Sequence, residues 1–234
     1  MKRFALILAA AATALGTLVP ADALAQRTGT RMGRNAVKAD AETVSAMIAA
    51  CMVKRRGAIV ERILATLPGS NEEDRLMISN EGTFGICMSD DKLVADGRTL
   101  YFDPQGLRLH LGVAAARARV AASTGPNAVA AASAPWFVAP MAKVKADERK
   151  RIDQSMLALM EMGDCLLTRE TAGAVELVQS ETSTPDQGKA MRKLVPHLSA
   201  CLSAGQEIEI TPDVVRFAIA EPLYNRLSPQ KEPV

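Results

Sequence analysis

The histidine and cysteine residues are the first candidates for chemistry in this sequence. His197 and Cys201 are four residues apart, so on a helix they would lie on one face. Such a pair could be half of a metal site, or a thiol beside its base. The sequence has one other histidine, His110, and neither histidine belongs to an H-E-x-x-H or similar zinc motif. The chemistry of this pair therefore depends on whether Cys201 is free.

The first 25 residues have the features of a secretory signal peptide. Lys2 and Arg3 precede an apolar run, and the residues from Ala23 to Ala25 supply an A-x-A cleavage site. The run is too short and too rich in alanine for a membrane span, and no second run reaches spanning length. We therefore predict export to the periplasm or out of the cell, with no transmembrane segment after cleavage.

The mature chain is almost neutral. Removal of Lys2, Arg3 and Asp22 with the signal changes the net charge from +2 to +1. This balance gives no electrostatic reason to expect a nucleic acid as partner. Aromatic residues make up 3% of the chain, and small or flexible aliphatic residues are plentiful. That composition favours packed helices over a β-sandwich.

All four cysteines follow the predicted signal, and an even number in an exported chain predicts disulfides. Three pairings are open to Cys51, Cys87, Cys165 and Cys201. The differences 87 − 51 and 201 − 165 both equal 36, which suggests an internal repeat at an offset of 114 (165 − 51). Oxidised cysteines leave no thiolate for attack or metal binding. We therefore predict no metal, no cofactor and no catalytic residue.

Signals for helix starts recur at the same offset. Ser70 and Glu73 form a capping box, and Thr184 with Pro185 and Gln187 repeats it. After the second cysteine of each pair, a short alternating stretch ("TLYF", "EIEI") precedes an amphipathic helix that begins with proline. We therefore predict a mainly α-helical fold of two homologous three-helix modules, each with one short β-strand and one disulfide inside the module.

Helix lengths select the cysteine pairing. Cys51 lies 16 residues before the end of the first predicted helix (41–67), and Cys87 lies 16 residues after the start of the second (71–88). Helices rise about 1.5 Å per residue, so both cysteines would lie some 24 Å from the turn between the helices. Antiparallel helices would bring them together. We therefore predict Cys51–Cys87 and, by the same reasoning, Cys165–Cys201.

The linker between the modules contains the only tryptophan, Trp136, beside Phe137. This aromatic pair either packs across the two modules or forms an exposed anchor for a partner. The predicted organisation is a signal peptide (1–25), a disordered basic segment (26–40), module 1 (41–123), a Pro/Ala-rich linker (124–146), module 2 (147–228) and a flexible tail (229–234).

The second module carries a recognisable pattern. Cys165 is followed by Cys201-Leu202-Ser203-Ala204-Gly205 and then by the run from Ala220 to Tyr224. A cysteine, C-L-x-x-G, a short strand and a helix ending in A-E-x-L-Y resemble a set of small, uncharacterised secreted bacterial proteins. The resemblance covers roughly 155–227. A diverged copy of the pattern in 41–123 lacks the A-E-x-L-Y ending. The resemblance implies an architecture and no chemistry.

We expect a non-catalytic binding or structural role in the cell envelope, with an unknown envelope protein or polymer as partner. The competing hypothesis is a periplasmic enzyme, such as a hydrolase, with its site at the junction of the modules. A deep cleft there with converging polar side chains would favour the enzyme, and a packed junction would favour binding. A third hypothesis, a chaperone-like protein, rests on helix faces with Met156, Met160 and Met162.

Overall fold

The computed structural model describes residues 41–88, 104–123, 129–131, 134–202 and 208–227. These residues are mainly helical, as the composition predicts. The predicted signal peptide, basic segment and tail lie outside them. Within the described ranges, no helix is both long and apolar enough to cross a membrane.

Four long helices form the centre of the fold. The helix α1 (Ala41–Leu64) packs against α4 (Pro104–Ala122), α4 packs against α10 (Pro212–Arg226), and α10 packs against α7 (Gln154–Arg169). We refer to α1–α4 as the N-terminal half and to α7–α10 as the C-terminal half. The helices in the described ranges are α1 (Ala41–Leu64), α2 (Asn71–Ser79), α3 (Glu81–Met88), α4 (Pro104–Ala122), α5 (Val138–Ala142), α6 (Ala146–Arg149), α7 (Gln154–Arg169), α8 (Thr171–Gln179), α9 (Pro185–Cys201) and α10 (Pro212–Arg226).

Side-chain caps fix the start of α2 and α9. The hydroxyl oxygen of Ser70 accepts a hydrogen bond from the backbone N–H of Glu73 at 3.2 Å, and Thr184 accepts one from Gln187 at 3.3 Å. In return, the Glu73 and Gln187 side chains accept from the residue before each cap, at 2.6 and 2.9 Å. Both predicted N-caps are therefore confirmed, and each satisfies one otherwise unpaired donor of its helix start. The return bond differs from a standard capping box, because it reaches the residue before the N-cap and not the N-cap N–H itself.

Both predicted disulfides are present. Cys51–Cys87 joins α1 to α3, and Cys165–Cys201 joins α7 to α9, with Cα–Cα distances of 5.7 and 5.6 Å. The helices that carry them are less continuous than predicted. The helix α1 bends at Arg56, where φ is −141° and ψ is 39°. The second predicted helix is interrupted at Asn80, whose side chain donates to the carbonyl of Leu76 at 2.8 Å.

The predicted β-strand of the C-terminal half is wrong for the residues that the structure describes. The stretch 208–210, which belongs to "EIEI", is not in a strand, and "TLYF" (99–102) lies outside the described residues. A strand needs a hydrogen-bonded neighbour. Here the segment leads directly into Thr211, the N-cap of α10, and Ile210 packs against the core.

The two halves share one hydrophobic core. The largest buried cluster is continuous from α1 and α4 to α7–α10, and includes Ile48, Leu111 and Leu223. The helices α7 and α10 approach so closely that a Cβ atom on Gly163 would overlap the carbonyl oxygen of Ala218. The prediction of two modules is therefore not supported at the level of packing, because the apolar faces of both halves are buried together.

A second, smaller cluster lies beneath part of the predicted linker. Phe137 is 8% exposed and packs with Leu67, Ile152 and Met160, and Trp136 packs edge-on beside it with ring centroids 6.1 Å apart. The aromatic pair thus lies between the end of α1 and the start of α7. This placement agrees with packing across the two halves, and the alternative role as a partner anchor stays a prediction.

One buried arginine connects the two halves. Arg108 in α4 is 0% exposed, and its Nε and Nη2 donate to the two carboxylate oxygens of Glu221 in α10, at 3.0 and 2.5 Å. Its Nη1 donates to Glu73 at 2.7 Å. The carbonyls of Thr66 and Ile63 accept further hydrogen bonds at 2.7 and 3.3 Å. This Arg108 network ties α10 and the start of α2 to the end of α1.

Replacement of Cys51 and Cys87 with alanine should lower the free energy of unfolding by roughly 4 kcal/mol, by the loop-entropy argument. The reason is that the disulfide joins residues 36 positions apart and so restricts the unfolded chain. Urea denaturation of the variant and of the oxidised wild type measures the difference. Peptide mapping without reduction is the control, and a Cys87–Cys165 peptide would contradict the pairing.

The Arg108 network makes the stability depend on pH. Burial raises the pKa of the Glu221 carboxyl, Arg108 opposes that effect, Glu73 adds to it, and the net direction is upward. The folded protein therefore holds this proton more tightly than the unfolded chain. The stabilisation from the proton is complete below the ordinary pKa of 4.5 and is lost as the pH rises through the raised value.

Glu221→Gln should remove this pH dependence. As the pH rises from about 4 to about 8, we expect the difference in unfolding free energy to shift in favour of the variant, by about 1.4 kcal/mol per unit of raised pKa. Urea denaturation at a series of pH values measures this difference. The exposed Glu161→Gln controls for the chemical change itself. A Glu221→Gln difference that stays constant across the series would contradict the prediction.

Candidate functional site

An open cavity of about 420 Å³ lies between the two halves of the chain. It is lined by α1, α4, α10 and the turn that follows α8, and we call it the junction cleft. Its volume is within the range of small-molecule sites, roughly 300–1,000 Å³. The Arg108 network, in contrast, is closed to ligands because it is fully buried, so its role is to position helices.

One side of the junction cleft is apolar. Ala46, Met47 and Ala50 line it from α1, Val113 lines it from α4, and Phe217 lines it from α10. Ala46 and Ala50 are one helical turn apart, so they lie on the same face of α1. Because both side chains are a single methyl group, they leave open the space that longer aliphatic side chains would fill.

His110 lines the cleft from α4 and contacts its aromatic wall. The imidazole packs edge-on against the ring of Phe217, with centroids 5.1 Å apart. Burial lowers the pKa of His110 below its ordinary value of 6.5, and the charge of Arg216 acts in the same direction. The imidazole is therefore predominantly neutral at pH 7. A neutral imidazole can donate one hydrogen bond and accept another.

Two arginines of the cleft converge on the end of α8. The Nε of Arg117 donates to the carbonyl of Val178 at 2.7 Å, and its Nη2 donates to the carbonyl of Ser180. Arg216 donates to the same Ser180 oxygen from Nη1 at 3.3 Å. Carbonyls at a helix C-terminus carry partial negative charge, so both guanidinium groups stabilise the end of α8. The same contacts hold two positive charges in fixed positions at the cleft.

Carboxylates balance these two arginines unequally. Arg216 donates to the Asp213 carboxylate and, at 2.7 Å, to the hydroxyl of Thr182. Among the described residues, Arg117 contacts a carboxylate only at Glu181, at a long distance of 3.5 Å, and the Glu181 side chain is 77% exposed. The other carboxylate that lines the cleft, Glu42, is also exposed. Burial lowers the pKa of Arg117, Glu181 opposes this, and the charge of Arg216 lowers it further. Arg117, with a side chain that is 29% exposed, is therefore the cation of the cleft most able to meet an anion.

The predicted chemical pair is not assembled. Cys201 is bonded to Cys165, so it has no thiol to offer to His197, which is partly exposed on α9. Within the described ranges, no group of three or more His, Cys, Asp or Glu side chains could hold a metal ion. The absence of a cofactor and of catalytic residues stays a prediction.

The methionines that suggested a chaperone-like surface do not form one. Met156, Met160 and Met162 are all buried, and they pack in the two hydrophobic clusters. The hypothesis of an exposed methionine-rich face on these three residues is therefore wrong.

Sequence reasoning missed the arginines that organise the structure. Arg108 and Arg216 each lie four residues after the proline that begins their helix, and no motif marks them. The available signal was their position, because each is a charged residue within a largely apolar stretch. A charge at such a position is buried only when it is paired.

Comparison with known proteins gives no relative on which to base an assignment. No protein family, no curated protein and no solved structure matches the chain. The resemblance to small secreted bacterial proteins therefore stays a prediction, and the function has to be argued from the junction cleft.

Proposed function

We propose that the protein is an exported, non-catalytic binding protein of the cell envelope and that the junction cleft is its ligand site. The observation that carries this proposal is the convergence of an apolar wall with His110, Arg117 and Arg216 around one open cavity. Pockets with a mostly apolar lining and a few fixed polar groups are typical of ligand sites.

Both disulfides support the proposed location and role. Such bonds form and persist in oxidising compartments such as the periplasm or the cell exterior. They also fasten α1 to α3 and α7 to α9, on the two sides of the shared core. A frame held in this way loses little conformational entropy when a ligand binds, which favours affinity.

The proposed frame is a duplicated module, and the helix geometry supports a common origin of the halves. At the offset of 114, the bend at Arg56 corresponds to Glu170, where α7 gives way to α8. The φ angles at these two residues are −141° and −144°. The residues before the two caps, Gly69 and Ser183, also correspond, and both have positive φ (74° and 60°). Independent sequences would have little reason to share these interruptions.

Buried arginines provide a second line of support for duplication. Arg108 and Arg216 correspond at an offset of 108 (216 − 108), which is also the offset between the starts of α4 and α10. Arg108 donates to the carbonyl of Thr66, and Arg216 donates to the carbonyl of Ser180. Those two carbonyls themselves correspond at the offset of 114 (180 − 66). Each half thus uses an arginine of its last helix to hold the turn of its helical hairpin.

A periplasmic hydrolase with its site in the same cleft is the second candidate. The junction holds an open cleft with converging polar side chains and not the packed interface that we expected for a binding protein, and this favours the hydrolase. His110 favours it too, because its lowered pKa suits a base at neutral pH. Hydrolysis also requires a nucleophile or a positioned water beside that base. We prefer the binding role because the two arginines are already anchored by main-chain carbonyls, which makes them fixed recognition groups.

A fragment-binding screen with an activity control separates the two candidates. We expect ligand-observed NMR with a mixed panel of neutral, cationic and anionic fragments to detect compounds that bind the oxidised protein. Ala46→Trp fills the cleft and should abolish this binding. Ala58→Trp, at an exposed position of α1 outside the cleft, should leave it unchanged.

The activity control uses chromogenic esters, amides, phosphoesters and glycosides. We expect the wild type to hydrolyse none of these substrates at a higher rate than the His110→Gln variant. Turnover that disappears in His110→Gln would establish the hydrolase and contradict the binding role. A panel in which no fragment responds to Ala46→Trp would contradict the assignment of the cleft as the ligand site.

A further inference from the structure

The junction cleft corresponds to a second surface between the two halves, and that second surface is covered. This correspondence rests on the duplication included in the proposed function. At offsets of 114 and 108, the cleft residues Ala46, Glu181 and Phe217 correspond to Met160, Leu67 and Leu109. Met160 and Leu67 belong to the second hydrophobic cluster together with Phe137, and Leu109 and Trp136 pack against that cluster.

The covered surface indicates what shape the open one accepts. At the corresponding surface, the indole and phenyl rings of the linker residues Trp136 and Phe137 lie over the start of α7, next to the end of α1. In the cleft, the equivalent of Met160 is the much smaller Ala46, so the space above α1 is larger. The ring of Phe217 remains as a wall, and edge-on or offset packing against it favours an aromatic occupant.

The cleft differs from the covered surface in its charge. Apolar Leu67 is replaced by Glu181, and the side chain of Glu181 is directed mainly to water, since it is 77% exposed. Within the described ranges, Glu181 at 3.5 Å is the one carboxylate that contacts Arg117, and both Arg117 and Arg216 donate to the Ser180 carbonyl. Glu42, which also lines the cleft, is exposed to water. An anionic group that reached Arg117 would gain a charge-assisted hydrogen bond.

We infer that the junction cleft binds small aromatic carboxylates, with the ring against Phe217 and the apolar face of α1 and the carboxylate toward Arg117. The aromatic part takes the place that Trp136 and Phe137 have over the corresponding surface. The carboxylate supplies the close negative charge that Glu181 does not. His110, beside Phe217, offers one further hydrogen bond to the same ligand.

Indole-3-acetate is the appropriate probe because it carries the ring of Trp136 and one carboxylate. Its neutral isostere, indole-3-acetamide, has the same shape without the charge. Calorimetry with the oxidised mature protein at neutral pH should give one site for the acid. We expect the amide to bind at least about tenfold more weakly, since it loses a hydrogen bond between charged partners.

Variants locate the site and the charge effect separately. Ala46→Trp should abolish binding of the acid, and the matched Ala58→Trp should preserve it. Arg117→Gln should lower the affinity for the acid to that of the amide, while the affinity for the amide stays the same. Arg117→Lys should recover part of the preference for the acid. Circular dichroism of each variant verifies that the helices remain folded.

The outcomes distinguish the ligand class from the proposed function. Equal affinities for acid and amide, both lost in Ala46→Trp, would overturn the aromatic carboxylate while leaving the cleft as a binding site. Binding that persists in Ala46→Trp would place the probe elsewhere and overturn the inference. Absence of binding by the acid would also overturn it, and the proposed function would then rest on the mixed fragment panel.

Discussion

The fold depends on how one positive charge is accommodated away from water. Moving an ion from water into a protein interior costs several kcal/mol, so the Arg108 guanidinium must be fully paired. Two carboxylates and two main-chain carbonyls surround it, and they come from the end of α1, the start of α2 and α10. Because the Glu73 side chain also accepts from the residue before the N-cap of α2, the same carboxylate fixes a helix start and a buried ion pair. The positions of these segments are therefore interdependent.

The network has one more carboxylate than it has cations. Burial is the main cause of the raised pKa of Glu221, Arg108 opposes it, and the charge of the second carboxylate, Glu73, adds to it. The Arg108 network also affects the cleft, because the two helices that it joins line the cleft as well. The helix α4 carries Arg108 together with His110 and Arg117, and α10 carries Glu221 together with Arg216. Any change that rotates α4 against α10 would move both walls of the junction cleft.

The helical hairpins were predictable from the sequence because helix caps are local motifs and the two cysteine pairs have the same spacing. Caps at Ser70 and Thr184 mark helix starts, and equal distances from a turn select Cys51–Cys87 over other pairings. The bends were not predictable in this way. Arg56 has no helix-breaking chemistry of its own, and the low helix propensity of the adjacent Gly57 does not by itself determine that a helix bends there.

The shared core and the cleft could not be read from the sequence for a different reason. Periodicity shows which face of each helix is apolar, but it does not show which helix will cover that face. The union of both halves depends on contacts between residues 113 positions apart, such as Arg108 with Glu221. The cleft is the space left where small side chains of α1, such as Ala46, face α4, α10 and the turn after α8. Only the packed structure reveals this space.

A double-mutant cycle between Arg108 and Glu221 tests most directly whether their pairing holds the halves together. The free energy of unfolding is measured in urea for the wild type, Arg108→Met, Glu221→Met and the double variant. Arg108→Met alone should cost about 3–5 kcal/mol, because it leaves two carboxylates buried without a cation. The double variant should be more stable than the sum of the single effects predicts, with a coupling of at least about 2 kcal/mol. Effects that add to within about 0.5 kcal/mol would show that the pair is not the connection between the halves.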